Sequence, residues 1–201
     1  QPIGPISRVC PLDAATTLVV GQDPRPLIVS RTGRRWFSSP VTLWTSCVAL
    51  SSTQALLQHE RGVSLLTLGT GSPAQRDQVI DVELEGVDGK RPQVLSLSGE
   101  VLWPQRSDRQ VVLLTNDFIY LYDRKTAKFR QAGPTPKQFS HGGEHGTALV
   151  IAKEIWIRTE INIYRRQLAD GAWQVLDEID DFANAPRRGL VIIRKEADRD
   201  I

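Results

Sequence analysis

The chain has 201 residues, of which 40% are hydrophobic and 24% are charged, a composition that argues against a disordered protein and is sufficient for a buried core. Its 25 basic and 23 acidic residues leave a net charge of +2, so we expect no nucleic-acid partner. No apolar run approaches the roughly 20 residues that a membrane-spanning helix requires, so no membrane span is expected.

The first eleven residues contain three prolines and are expected to form an extended N-terminal arm over 1–11. The chain has no Met and begins Gln1-Pro2, which indicates a processed or excised chain. Its two cysteines, Cys10 and Cys47, form either one disulfide or two buried thiols, and the sequence leaves both possibilities open. The missing Met and the cysteine pair favour a secreted or periplasmic protein.

Short apolar runs separated by turn residues predict a succession of β-strands along the first half of the chain. The polar segment 59–62 ends in Gly and predicts a hairpin turn. The Asp88-Gly89 pair predicts another turn, because Gly accepts a positive φ without steric cost. The expected strands are 16–20, 27–30, 41–50, 55–58, 63–68 and 79–84.

The second half continues the same pattern and ends in a charged tail at 194–201. Only 72–81 and 177–185 could form a turn or two of helix, and neither has a sustained apolar stripe. We therefore expect a single all-β domain over 12–193. The expected strands are 94–97, 101–103, 111–114, 118–122, 148–151, 154–158, 161–164, 172–176 and 191–193.

Residues 111–176 resemble a degenerate Kelch repeat. The sequence Ile-Tyr-Leu-Tyr-Asp at 119–123 is followed by a turn, Phe129, and Gly-Pro-Thr-Pro at 133–136. Ile-Asn-Ile-Tyr at 161–164, followed by Asp-Gly-Ala-Trp at 170–173, repeats the first half of this pattern. The resemblance implies a β-propeller-like stack of antiparallel hairpins in four-stranded blades. At about 45 residues per blade, the chain supplies about four to five blades or part of a larger propeller. A β-sandwich or a barrel built from hairpins is the alternative.

The segment His141-Gly-Gly-Glu144-His145 has the spacing of inverted zinc peptidases. Its glycines oppose the helix that such a metal site requires, so we predict a Gly-rich loop and no metal. A Gly-x-Gly-x-x-Ala pattern at 69–74 predicts a strand-ending turn and no nucleotide cofactor, because no helix pattern follows it. The acidic cluster at 177–181 does not have the spacing of a calcium loop.

Three functional hypotheses follow, and the first is a non-catalytic module whose loops bind a protein partner or a glycan. Arginine and aromatic side chains dominate interface energies, and His141 and His145 could line the central mouth of a propeller. The second hypothesis is a glycoside hydrolase or lyase with Asp117, Asp123 or Glu144 as acid and base. The third is a structural piece of a larger assembly with further blades or subunits. The unpaired edge strands of such a piece are expected to pair with strands of another chain. The predicted binding residues are Arg34, Arg35, Trp36, Trp103, His141 and His145.

Overall fold

The computed structural model describes residues 5–21, 23, 25–36, 43–69, 76–85, 94–99, 110–136, 147–151, 153–159, 162–168, 171–185 and 189–194. Within these ranges every regular element is a β-strand. The prediction of an all-β chain is therefore confirmed. None of the described residues lies in a helix long and apolar enough to cross a membrane.

The first two sheets are four-stranded antiparallel meanders, in which each strand pairs with the next one along the chain. The first sheet contains β1 (Ile6–Pro11), β2 (Thr16–Gly21), β3 (Leu27–Ser30) and β4 (Gly33–Trp36). The second sheet contains β5 (Trp44–Ala49), β6 (Gln54–His59), β7 (Gly62–Thr67) and β8 (Gln78–Asp81).

The third sheet has the strand order β10-β11-β12-β13-β9, in which the short β9 pairs with β13 in parallel. Its strands are β9 (Leu84–Glu85), β10 (Val94–Gly99), β11 (Val111–Thr115), β12 (Phe118–Asp123) and β13 (Lys128–Pro134). The fourth sheet is another antiparallel meander, and a two-stranded hairpin follows it. The fourth sheet contains β14 (Thr147–Ile151), β15 (Glu154–Arg158), β16 (Ile163–Gln167) and β17 (Gln174–Val175). The hairpin contains β18 (Ile179–Ala185) and β19 (Gly189–Arg194).

The chain divides into two compact units. The first comprises residues 1–97 and 123–130, and the second comprises residues 98–122 and 131–201. The strands form in short runs rich in apolar residues. Strands with one exposed face alternate apolar and polar residues, because alternate side chains point to opposite faces, whereas β11 is buried along its whole length. Short turns join them. The turn predicted at 59–62 closes the β6–β7 hairpin, where His59 pairs with Gly62.

The first and second sheets share an apolar core within the first unit. The first strands of both sheets, β1 and β5, pack against each other, and Cys10 of β1 is bonded to Cys47 of β5. Of the two possibilities that the sequence left open, the disulfide is the one that forms. The buried residues of this core are Cys10, Leu12, Leu18, Val20, Ile28, Trp44, Cys47, Ala49, Ala55, Leu57, Leu66 and Leu68.

The second unit has its own core, in which the β18–β19 hairpin packs against the fourth sheet. Trp156 and Ile163 of that sheet contact Ile179 and Phe182 of β18, and all four are buried. An ion pair of 2.7 Å between the Arg158 guanidinium and the Asp181 carboxylate reinforces this contact.

The helical turn considered for 177–185 is not formed, because Ile179–Ala185 is strand β18. Ile179 and Phe182 are both buried and lie three positions apart, a spacing that residues on one face of a helix also have. In β18 the pairing with β19 shifts between Ile179 and Asp181. A bulge of this kind adds one residue, so it brings two residues with an odd separation onto the same face of a strand. For the other considered helix, 72–81, the described end is also a strand, Gln78–Asp81.

Candidate functional site

A polar cleft of about 550 Å³ in the first unit is the candidate functional site. In a meander, the first and third turns lie at the same end of the sheet. The first two sheets therefore bring the β1–β2, β3–β4 and β5–β6 turns and the segment after β7 to this cleft. Its lining residues are Asp13, Thr16, Ile28, Ser30, Thr32, Gly33, Arg34, Arg35, Ser52, Thr53, Leu68 and Gly69.

The β1–β2 and β5–β6 turns have the same backbone hydrogen bonds. The N–H groups of Leu12 and Asp13 donate to Thr16 O, at 2.9 and 3.3 Å. In the β5–β6 turn, the N–H groups at positions 50 and 51 donate in the same way to the carbonyl of residue 54, at 2.9 and 3.1 Å. In the sequence, these turns begin at Leu-Asp (12–13) and Leu-Ser (50–51), residues that were not among the predicted binding residues.

Asp13 is held as a carboxylate by its own turn. Its Oδ1 accepts the N–H groups of Ala15 and Thr16, each at 2.7 Å. The hydrogen bond from Ala15 is the main reason that the pKa of Asp13 lies below its ordinary value. Asp13 therefore caps the turn and remains ionised at neutral pH.

Arg35, one of the predicted binding residues, is anchored in the cleft wall. Its Nη2 lies 3.0 Å from Oδ1 of Asp77, and the same carboxylate oxygen accepts the N–H of Gly69 at 2.8 Å. Asp77 therefore ties the β4 side of the cleft to the segment after β7. About half of the Arg35 side chain remains exposed, so the guanidinium keeps donors available to a ligand.

Arg34, the second predicted binding residue in the cleft, has no charge partner among the residues that the structure describes. Its side chain is exposed. The Arg34 guanidinium and the hydroxyl of Ser52, which also lines the cleft, form no hydrogen bond or ion pair within the described ranges. The described part of the cleft thus combines one anchored guanidinium, one guanidinium without a described partner and a rim of hydroxyl groups.

Trp36 is not among the residues that line this cleft, although it follows Arg35 directly. The Arg25 guanidinium lies over its ring, 5.2 Å from the centroid, and Arg25 is itself paired with Asp23 at 3.2 Å. Trp36 lines a second, smaller pocket with Pro5 and Gly21 among other residues. The structure therefore brings Arg34 and Arg35 together and places Trp36 at a different pocket.

Three of the predicted binding residues lie outside the described residues. They are Trp103, His141 and His145, together with the candidate acid Glu144. Their roles stay predictions. Among the residues that the structure does describe, no three His, Cys, Asp or Glu side chains are grouped to hold a metal ion.

Of the two described candidate carboxylates of the enzymatic hypothesis, Asp123 does not have the property that a general acid requires. The Lys125 N–H and the Arg130 guanidinium lower the pKa of Asp123, whereas a general acid needs a raised pKa. Asp117 is exposed at the β11–β12 turn, where its backbone carbonyl accepts the N–H of Thr135 at 3.0 Å. Every described carboxyl group with a shifted pKa is shifted downward, namely Asp13, Asp23, Glu83 and Asp123.

A hydrogen-bond chain in the second sheet links the buried His59 and Ser64 to the exposed carboxylate of Asp81. The imidazole Nε2 lies 3.0 Å from Ser64 Oγ, and this hydroxyl donates to Asp81 Oδ1 at 2.8 Å. The N–H of Arg61 donates to His59 Nδ1 at 3.2 Å, so the neutral ring carries its proton on Nε2 and donates it to Ser64. In that tautomer His59 cannot accept the Ser64 proton, so the three residues do not form a nucleophile triad.

We expect the stability of the protein to fall as the pH drops below about 6.5, the ordinary pKa of a histidine. Burial lowers the pKa of His59 in the folded state, with the Asp81 carboxylate opposing it in part. The unfolded chain therefore binds a proton at a higher pH than the folded chain, and acid favours unfolding. The melting temperature, followed from pH 8 to 5, tests this sign.

His59→Gln, which keeps a donor near Ser64, provides the control for the His59 titration. The variant is expected to show a flatter pH dependence over the same range. Since the carboxyl groups at positions 13, 23, 83 and 123 have lowered pKa values, their contribution is lost only at more acidic pH. An unchanged slope in the variant would show that another group controls the transition.

The sequence matches no protein-family model and no curated protein. Among solved structures, it resembles a domain described as the extracellular part of a hybrid two component system, BT3049 from B. thetaiotaomicron. That likeness has a TM-score of 0.51 at 12% identity and covers 88% of this chain and 22% of that one. It concerns the fold alone. A second structure, the seed albumin LS24 from Lathyrus sativus, aligns with a TM-score of 0.37 at 10% identity, over 82% of this chain and 86% of that one.

Proposed function

We propose that this chain is a non-catalytic recognition module of the β-propeller type, which binds a protein partner through the cleft of its first unit. The fold part of the proposal is supported by four successive sheets, each containing a run of four strands that follow one another along the chain. This is the strand pattern of propeller blades. The Kelch-like character of residues 111–176 remains part of this proposal.

The packing within the first unit supports the propeller arrangement. The first and second sheets share one core and place their first strands side by side, as neighbouring blades do. This chain spans only 22% of the length of the bacterial neighbour, a proportion compatible with blades that belong to a larger protein. The disulfide between Cys10 and Cys47 and the extracellular origin of that neighbour support a secreted or periplasmic location.

The observation that carries the functional proposal is a pair of arginines in a concave polar site. Arg35 is anchored there, and Arg34 has no charge partner among the described residues. Arginine is enriched among the residues that dominate protein–protein binding energy. Because Asp77 already orders Arg35, less conformational entropy is lost when a partner binds it. In contrast, the lowered pKa of Asp123 favours binding over acid–base catalysis.

We expect the double variant Arg34→Ala/Arg35→Ala to lose at least about tenfold in affinity for the partner, as the loss of two interface arginines implies. The partner would be isolated from an extract of the source organism with the wild-type chain as bait. The purified partner would then be titrated against wild-type and variant chains by calorimetry.

Arg130→Ala is the matched control for this binding experiment, because Arg130 is also exposed and pairs with Asp123 outside the cleft. It should leave the affinity within about twofold. Equal affinities of the wild-type and double-variant chains, with both folded by circular dichroism, would refute the cleft as the binding site.

A second candidate function, a structural piece of a larger assembly, is favoured by apolar side chains exposed in both units. Ile6 and Val9 of β1 are 53% and 51% exposed, and Ile193 of β19 is 54% exposed. Exposed apolar strands are expected to pair with another chain. On this hypothesis, sedimentation equilibrium gives a mass above 22.4 kDa that rises with protein concentration. A constant monomer mass at all concentrations would contradict it.

A further inference from the structure

We propose that the cleft recognises an extended acidic segment of the protein partner, whose carboxylates are bound by Arg34 and Arg35. This inference rests on the proposed function and adds the chemistry of the ligand. It begins from the local charge: residues 24–59 contain four arginines and no aspartate or glutamate. Strands β3 and β4 and the turn between them therefore carry a net positive charge that the near-neutral total of the chain conceals.

The charges within the cleft favour an anion. Its lining includes two arginines and one aspartate, and Oδ1 of Asp13 is already occupied by two backbone N–H groups of its own turn. Arg35 is partly neutralised by Asp77, whereas Arg34 has no carboxylate partner among the described residues. A guanidinium that is free to form two parallel hydrogen bonds matches a carboxylate.

The position of the arginines favours a peptide as the source of the carboxylate. Arg34 and Arg35 lie on β4, the last strand in the order of the first sheet. An extended peptide can pair with the backbone of such an edge strand, while neighbouring side chains select its sequence. None of the described lining residues is aromatic, so the cleft offers charge and hydrogen bonds and no ring on which a sugar could stack.

Arginines on an edge strand also protect a sheet from aggregation, and a titration with a peptide probe separates the two roles. The full chain would be titrated by calorimetry with hexaglutamate, and in parallel with hexaglutamine and trigalacturonate. We expect hexaglutamate to bind, hexaglutamine not to bind, and the hexaglutamate affinity to fall with added salt. Arg34→Gln should weaken hexaglutamate binding about fivefold to tenfold.

Arg31→Gln is the matched control, because Arg31 lies on the same hairpin and is exposed but does not line the cleft. It should change the affinity less than about twofold. Equal losses in the Arg31 and Arg34 variants, tighter binding of trigalacturonate than of hexaglutamate, or no binding of hexaglutamate would each overturn the inference.

The two proposals fail in different ways. If hexaglutamate does not bind but the purified partner still requires Arg34 and Arg35, the acidic chemistry is wrong and the recognition function stands. If hexaglutamate binds through Arg34 but the partner does not depend on either arginine, the cleft is an anion site and the proposed partner surface is wrong.

Discussion

Replacing Cys10 and Cys47 together by alanine is expected to lower the free energy of unfolding of the first unit by about 3–4 kcal/mol. The bond closes a loop between residues 37 positions apart, and a cross-link over a loop of this length restricts the unfolded chain by about that amount. Both sulfurs also lie in the core that the first and second sheets share. Denaturant unfolding of the double variant, followed by tryptophan fluorescence, measures the change.

Reduction of the wild-type chain provides the control for the disulfide. A reducing agent should lower the stability of the wild type to that of the double variant and leave the double variant unchanged. A loss below about 1 kcal/mol in the double variant would show that β1 and β5 are held together by their apolar packing and that the bond adds little.

Replacing Arg166 by methionine is expected to raise the free energy of unfolding by about 1–2 kcal/mol, which is the opposite of what most core substitutions do. Arg166 is only 8% exposed. Its Nη2 donates to the Ala132 carbonyl at 3.1 Å, and its buried Nε has no hydrogen-bond partner. Among the described residues no carboxylate pairs with it, so the folded state carries a desolvated charge that methionine would remove.

Arg165→Met is the matched control on the same strand. Arg165 is partly exposed, donates to the Gln174 side chain at 2.7 Å and lies over the Trp156 ring. Its loss should destabilise the protein by up to about 1 kcal/mol. Opposite signs for the two arginines, measured by thermal and denaturant unfolding, are the expected result. Destabilisation by Arg166→Met would mean that the bond to Ala132 outweighs the cost of burying the charge.

The position of the Arg166 side chain also explains why residue 133 is a glycine. A Cβ at Gly133 would overlap the Arg166 guanidinium, so the side chain lies directly over the backbone of β13. Gly133 also has a φ of +156°, which disfavours other residues. In the sequence, Gly-Pro-Thr-Pro at 133–136 was part of the Kelch-like pattern. In the structure, its glycine provides space for an arginine 33 positions further along the chain.

The strands and their short turns were predictable from the sequence because the signals for them are local. Alternation of apolar and polar residues indicates which face of a strand is buried, and a glycine after a polar pair indicates a turn. The expected strands at 16–20, 27–30, 55–58 and 111–114 correspond to β2, β3, β6 and β11. Strand β18 was not predicted because its sequence, Ile-Asp-Asp-Phe-Ala-Asn-Ala, does not alternate regularly, and a bulge interrupts its pairing with β19.

The cleft and the buried polar groups depend on tertiary structure, because they join residues that are distant in the sequence. Arg34 and Arg35 could be selected from the sequence as a basic pair beside a turn. Their separation from Trp36, and the anchoring of Arg35 by Asp77, depend on how two sheets pack. The pairing of Cys10 with Cys47 depends on sheet packing in the same way. The His59 hydrogen-bond chain depends on the register of β6, β7 and β8 within one sheet. The pattern of apolar and turn residues along the chain thus determined the all-β class. Packing between sheets decided which side chains meet, because a pattern along the chain does not specify the distances between residues on different strands.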